Sequence, residues 1–100
     1  MSDVLLTLLS PPSLEEALLD QLLLSSDIQV FTSVATAAHG LAFGRLSANE
    51  QVLGRTDAVQ VQAVLAQEQA SSLLAELRRR YPGAGLRYWL TPVFESGDIR

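Results

Sequence analysis

The chain holds one histidine, His39, followed directly by Gly40. An imidazole can ligate a transition metal, and Glu50 or Asp57 offers a carboxylate to share the ion with it. Such metals take three or four donors. A divalent site here would therefore need further donors beyond one histidine and one carboxylate, whereas a solvated or hydrogen-bonded histidine needs nothing further. Glu50, Gln51, Gly54 and Arg55 make a second cluster. Glu50 and Arg55 bring opposite charges, and Gly54 permits backbone conformations closed to other residues, so the four could grip a ligand or a protein partner. The same stretch also suits a short turn with Val52 and Leu53 tucked against the body. Arg45 lies in this stretch too and would steer anions towards it. Arg78, Arg79 and Arg80 form the only basic run. Phosphate binding is one use for them, but cations in the last turn of a helix also complement its dipole.

Catalytic patterns are weak. Serine, histidine and aspartate all occur, yet no Gly-x-Ser-x-Gly elbow presents a nucleophile. Glu15 and Glu16 sit where a helix should begin, so they read as dipole complements and not as an acid/base pair. The chain is not expected to be an enzyme.

The elements that must carry these residues follow from apolar spacing. Val4–Leu9 is a short apolar run stopped by Ser10, Pro11 and Pro12, as in a central strand buried on both faces. Ser13-Leu14-Glu15-Glu16 has capping-box spacing and predicts a helix start, with Leu14, Ala17, Leu18 and Leu22 on its apolar face. A second strand is predicted from about Ile28 to Ala38 by alternation. Residues 40 to 56 show no sustained period and predict a long loop, in which Ser47 to Glu50 repeats the capping-box spacing. Val59, Val61, Ala63 and Leu65 alternate with Gln60 and Gln62 as a third strand, apolar on one face and bearing amides on the other. Ala70, Leu73, Leu74, Leu77 and Tyr81 have the spacing of a core-facing helix that Pro82 and Gly83 stop. Leu86, Tyr88 and Leu90 begin a fourth strand ahead of a polar segment, Glu95 to Arg100.

This order, βαββαβ, predicts an α+β, ferredoxin-like split βαβ fold in one domain spanning residues 1–100: a four-stranded antiparallel sheet with two helices on one face. The other face is left bare. Apolar residues of the first strand, and aromatics of the second and fourth, would make it an interface between copies, with Gln60 and Gln62 seeking amide partners across it. A chain of 100 residues buries only roughly two-thirds of its unfolded surface, which favours such self-association.

Composition narrows the classes. Seven arginines against eleven acidic residues give a net charge of −4, which disfavours nucleic acid as a partner. The absence of cysteine removes disulfides, thiol nucleophiles and cysteine-based zinc sites. No apolar run approaches the roughly 20 residues that cross a bilayer, and Asp3 with a short apolar run does not make a signal peptide, so direct membrane insertion is not expected and the cytoplasm is the expected location.

Several strings carry a family resemblance. They are Asp3-Val4-Leu5-Leu6-Thr7-Leu8, Phe31-Thr32-Ser33, His39-Gly40, Glu50-Gln51-Val52-Leu53-Gly54-Arg55 and Tyr88-Trp89-Leu90-Thr91-Pro92-Val93. In order and spacing they resemble the PII-like superfamily of signalling proteins, which includes PII and CutA, and within it a proteobacterial group whose genes often lie beside heavy-metal efflux pumps. The resemblance covers nearly the whole chain. It implies a cytoplasmic homotrimer that binds a small effector, a divalent metal ion or a nucleotide, in clefts between subunits. It further implies that the long loop, the T-loop of the superfamily, regulates a partner such as a metal efflux transporter. Arg45, Glu50, Gln51, Gly54 and Arg55 would serve that loop, and Glu95, Asp98 and Arg100 would line the cleft. The alternative is a CutA-type protein that binds metal directly, through His39.

Overall fold

The computed structural model describes residues 2–40 and 55–100. Four strands and two helices follow one another as β1 (Asp3–Ser10), α1 (Glu15–Leu24), β2 (Phe31–Ala38), β3 (Thr56–Ala66), α2 (Gln67–Arg80) and β4 (Arg87–Val93). The strands form one antiparallel sheet in the order β2-β3-β1-β4. The predicted α+β, ferredoxin-like architecture is what the chain adopts, with the two most apolar strands, β1 and β3, in the centre.

Strand register decides which residues share a face. Val4, Leu6 and Leu8 of β1 stand opposite Leu65, Ala63 and Val61 of β3, and these side chains form the core with Leu18 and Leu22 of α1 and Ala70, Leu74 and Leu77 of α2. Both helices therefore cover one side of the sheet. At about 0.8 kcal/mol per buried methylene, this shared apolar layer is the main stabilising contribution. The other side carries Leu5, Thr7 and Leu9 of β1, Gln60, Gln62 and Val64 of β3, Thr32 and Val34 of β2, and Arg87, Trp89 and Thr91 of β4. No described helix lies over it.

Four expectations need correction. Ser13 caps nothing, because Pro12 begins a single 3-10 turn, Pro12–Leu14, in which the Leu14 N–H donates to the Pro11 carbonyl at 3.0 Å. Ser13 thus sits inside that turn, and α1 starts at Glu15 with Leu14 before it and no side-chain cap. Ala17 is exposed, so the buried face of α1 narrows to Leu18 and Leu22. β2 starts at Phe31, not Ile28; Ile28 is buried in the core from the connection ahead of the strand, and β2 itself is exposed over most of its length, as an edge strand outside the helix layer is. Of the aromatics only Trp89 lies on the uncovered face, since Phe31 pairs with Ala63 and Tyr88 with Leu8, both on the helix side. The possible helix at residues 47–53 falls outside the described residues.

The start of α2 is held by two contacts. The Gln69 side-chain oxygen accepts the Ala66 N–H at 3.1 Å, and the Gln67 N–H donates to the Ser2 carbonyl at 3.0 Å. These bonds use two of the free N–H groups near the helix start, although alanine has no side-chain acceptor to complete a capping box.

Candidate functional site

The uncovered sheet face is the first candidate. One row across it runs Thr32, Gln62, Thr7 and Trp89 from β2 to β4, each directly opposite the next. Thr7 is only 1% exposed although no described helix covers it. The Gln62 amide donates to the Thr7 hydroxyl at 3.1 Å, so this glutamine finds a partner within its own chain and does not require one from another subunit. Trp89 flanks Thr7 on the other side and stays 43% exposed. Around the row lie Leu5, Leu9, Val34 and Val64, the last two exposed. The β2 edge, FTSVATAA, carries no charge and no proline, the devices that usually keep a free strand edge from pairing with another chain.

A second candidate lies at the turn between α2 and β4. A cavity of about 360 Å³ has Leu8, Leu74 and Leu77 as its floor and Arg78, Tyr81, Gly83, Gly85, Arg87 and Tyr88 among its walls. Among the described residues no carboxylate lines it. Gly83 and Gly85 have φ of 68° and 86°, left-handed values that favour glycine, and they let the chain turn tightly beside the basic helix end. Arg78 donates to the Tyr88 hydroxyl at 2.9 Å, and its guanidinium carbon sits 5.5 Å from that ring's centroid. Both contacts position the cation at the rim. Arg80 lies 6.0 Å over Tyr81. Arg79 turns instead to Glu76, which accepts hydrogen bonds from it; that contact, more than bulk charge, lowers the Glu76 carboxyl and raises the Arg79 guanidinium. From the sequence, dipole compensation accounts for Arg78 to Arg80, with phosphate binding as their other use, and Arg87 has no assigned role. The available signal was a basic helix end, then Pro82-Gly83-Ala84-Gly85, then another arginine.

The candidates read from the sequence separate into two ends of the sheet. Ala38 pairs with Thr56 and Ala37 with Asp57, so His39, Arg55 and Asp57 stand together where residues 41–54 leave and rejoin the sheet, all three exposed. Among the described residues no group of three histidine, cysteine or acidic side chains is placed to hold a metal. Arg45, Glu50, Gln51 and Gly54 lie outside the described residues. Glu95, Asp98 and Arg100 follow β4 at the far end, beyond the Asp3 to Val93 pair. There Arg100 approaches Asp98 at 3.6 Å, exposed, and the Ser96 hydroxyl reaches the Asp3 carboxylate at 3.5 Å. Within one chain, the structure does not bring the His39 group and the Glu95 group together.

Sheet order, two helices on one face and a long β2–β3 connection define a PII-like, ferredoxin-like fold. The family comparison is more specific: the model of the DUF3240 family, described as proteins of unknown function, matches residues 1–100, and the chain belongs to that family. A crystal structure of a DUF3240 protein from Shewanella baltica superposes with a TM-score of 0.80 at 16% identity, covering 100% of this chain and 99% of that one. A protein from Thermus thermophilus, proposed in its description to be a PII-like signalling protein, superposes with a TM-score of 0.61 at 18% identity, covering 93% and 90%. At these identities the likeness is one of fold. The search of curated proteins returns no significant match. Among the described residues no helix is long and apolar enough to cross a membrane.

Proposed function

We propose that this chain is a PII-like regulatory protein and not an enzyme. It assembles as a homotrimer through its uncovered sheet face, binds a small effector in the clefts between copies, and uses residues 41–54 to engage a partner. The observation that carries this reading is the face itself: a row centred on Thr7 and Trp89, edged by exposed valines, on a sheet whose described helices all lie on the other side. The cavity at the α2–β4 turn supports an anionic effector of the nucleotide class over a metal ion, because Arg78 is held at its rim against Tyr88 and no described carboxylate lines it. It opens at the end of the sheet where residues 41–54 begin and end, which suits a loop whose conformers an effector selects by binding one better than the other. Arg45, Glu50, Gln51, Gly54 and Arg55 serve that loop in this reading, and Glu95, Asp98 and Arg100 reach the cleft from a neighbouring copy. A metal efflux transporter is the partner class that the sequence resemblance implies.

Light scattering coupled to size exclusion, followed by calorimetric titration, tests the proposal. A mass of three chains and ATP binding that Arg78→Ala weakens at least tenfold are the expected results. A monomer at micromolar concentration overturns the assembly. Stoichiometric zinc uptake lost in His39→Ala, with no ATP binding, replaces the regulatory reading with direct metal binding.

A further inference from the structure

The helix α1 is more apolar than its packing requires. Of the apolar residues in Glu15–Leu24 only Leu18 and Leu22 are buried, while Leu23 and Leu24 stay 71% and 87% exposed. Leu24 lines a groove of about 560 Å³ between α1 and α2. Two stripes with helical spacing border this groove: Ala17, Asp20, Gln21 and Leu24 from α1, and Gln69, Leu73, Glu76 and Arg80 from α2. Leu65 of β3 lines it too, and by register Leu65 belongs to the helix side of the sheet. The groove therefore lies away from the uncovered face, and covering that face does not close it.

The lining holds three carboxylates, Asp20, Asp27 and Glu76, against the single cation Arg80. They are not equivalent. Glu76 is already held by Arg79. Asp27 accepts the neutral Gln69 amide at 3.1 Å, and neither Asp27 nor Asp20 has an ion-pair partner among the described residues. Gln21 supplies a separate signal: its side-chain oxygen is buried, and no described group donates to it. A buried acceptor without a donor is unfavourable, and an N–H brought into the groove relieves it.

These features select an occupant. Anionic lipid and nucleic acid are repelled by the acidic rim. Among the described residues no three histidine or acidic side chains are placed to hold a metal ion. A polyamine would meet the carboxylates but leave the leucines in water. An amphipathic cation meets both, and a cleft between two helices suits a third helix laid in with its apolar stripe inward. We propose that the α1–α2 groove receives a basic amphipathic helix of a partner protein, with apolar side chains over Leu24, Leu65 and Leu73 and arginine or lysine against Asp20, Asp27 and the Gln21 oxygen. This surface goes beyond the regulatory reading above and does not depend on the assembly, since both helices belong to one chain.

The probe is a fluorescent synthetic helix of leucine and arginine, read by anisotropy, with a counterpart in which glutamate replaces every arginine. The arginine peptide is expected to bind the full chain and the glutamate peptide not to. Asp20→Asn with Asp27→Asn should weaken binding roughly tenfold, and Leu24→Ser by about as much. Glu16→Gln with Glu68→Gln makes the same change of charge at the exposed starts of the two helices, and should weaken binding by less than about twofold. Amide resonances should shift at residues 17–27 and 69–81. No binding of the arginine peptide overturns the proposal, as does an equal loss in the Glu16 and Glu68 variant, which would mean bulk charge alone. Shifts confined to the uncovered face overturn it as well. Spermidine bound in the groove as tightly as the peptide would make this a simple cation site, and groove resonances that move on dilution of the chain alone would make the occupant a second copy; either result refutes a partner helix.

Discussion

Replacing Trp89 by threonine should weaken self-association without unfolding the chain. Threonine keeps a strand-favouring β-branched side chain at this position of β4, so the perturbation is chiefly one of area. Trp89 is 43% exposed on the uncovered face. A tryptophan side chain offers up to ~250 Å², which leaves ~110 Å² for a neighbour to cover. At ~25 cal/mol per Å² that area is equivalent to ~2.7 kcal/mol per copy, and threonine retains enough of it to bring the expected loss to ~2 kcal/mol. A loss of that size raises the dissociation constant ~30-fold. Sedimentation velocity over a dilution series measures it, with circular dichroism to verify the fold. Leu24→Ser is the control: Leu24 is 87% exposed, but on α1, on the helix side of the molecule. Two results refute the reasoning. Either Trp89→Thr dissociates at the same concentration as the unaltered chain, or Leu24→Ser shifts the midpoint as far, which would put the interface on the helix layer.

Two predictions concern the fold and its surface charge. Leu18 is fully buried in the core, so Leu18→Ala should cost about 2–5 kcal/mol in urea unfolding, a large share of a small domain's stability; a loss under about 1 kcal/mol would mean that α1 is not packed on the sheet as described. Glu76 is held below the usual carboxylate range by its hydrogen bonds to Arg79. A depressed carboxyl contributes stability above its unfolded value and loses it as pH falls through the folded value. Because the pair is exposed, the effect on stability is small, and NMR titration is the proper measurement: Arg79→Ala should raise the Glu76 midpoint, and no upward movement would show that the ion pair does not form in solution.

Much of the architecture could be read from spacing alone, because apolar period and strand alternation report directly which side of an element faces a core. The apolar run of β1 and the alternation of β3 both emerged this way, and both strands occupy the centre of the sheet, although β1 is packed by helices on one face only and Leu5 and Leu9 on the other stay half-buried. Ser13 shows where local reasoning stops. Its capping-box spacing is genuine, but Pro12 sets up a 3-10 turn that places it one step inside the bend. Ile28 shows a second limit, since an apolar residue ahead of a strand enters the core as readily as one within it. Of the candidate sites, the grouping of His39, Arg55 and Asp57 follows from strand register, whereas the cavity beside Arg78 depends on how the turn between α2 and β4 packs. Pro82 and Gly83 mark where the helix stops, but not that the turn after them opens a cavity over Leu8, Leu74 and Leu77.

By itself, the order of amino acids determined that two βαβ halves would pair into one sheet with both helices on the same side, because right-handed crossovers and the apolar period permit little else. It determined as well that catalysis by cysteine is impossible and that bulk attraction to nucleic acid is weak. Only the tertiary structure decided which aromatic meets the uncovered face, that Gln62 satisfies its amide on Thr7, and that the cavity beside Arg78 lies at the opposite end of β4 from Glu95 and Asp98. Those outcomes turn on register, and shifting one strand by a single residue would exchange its two faces.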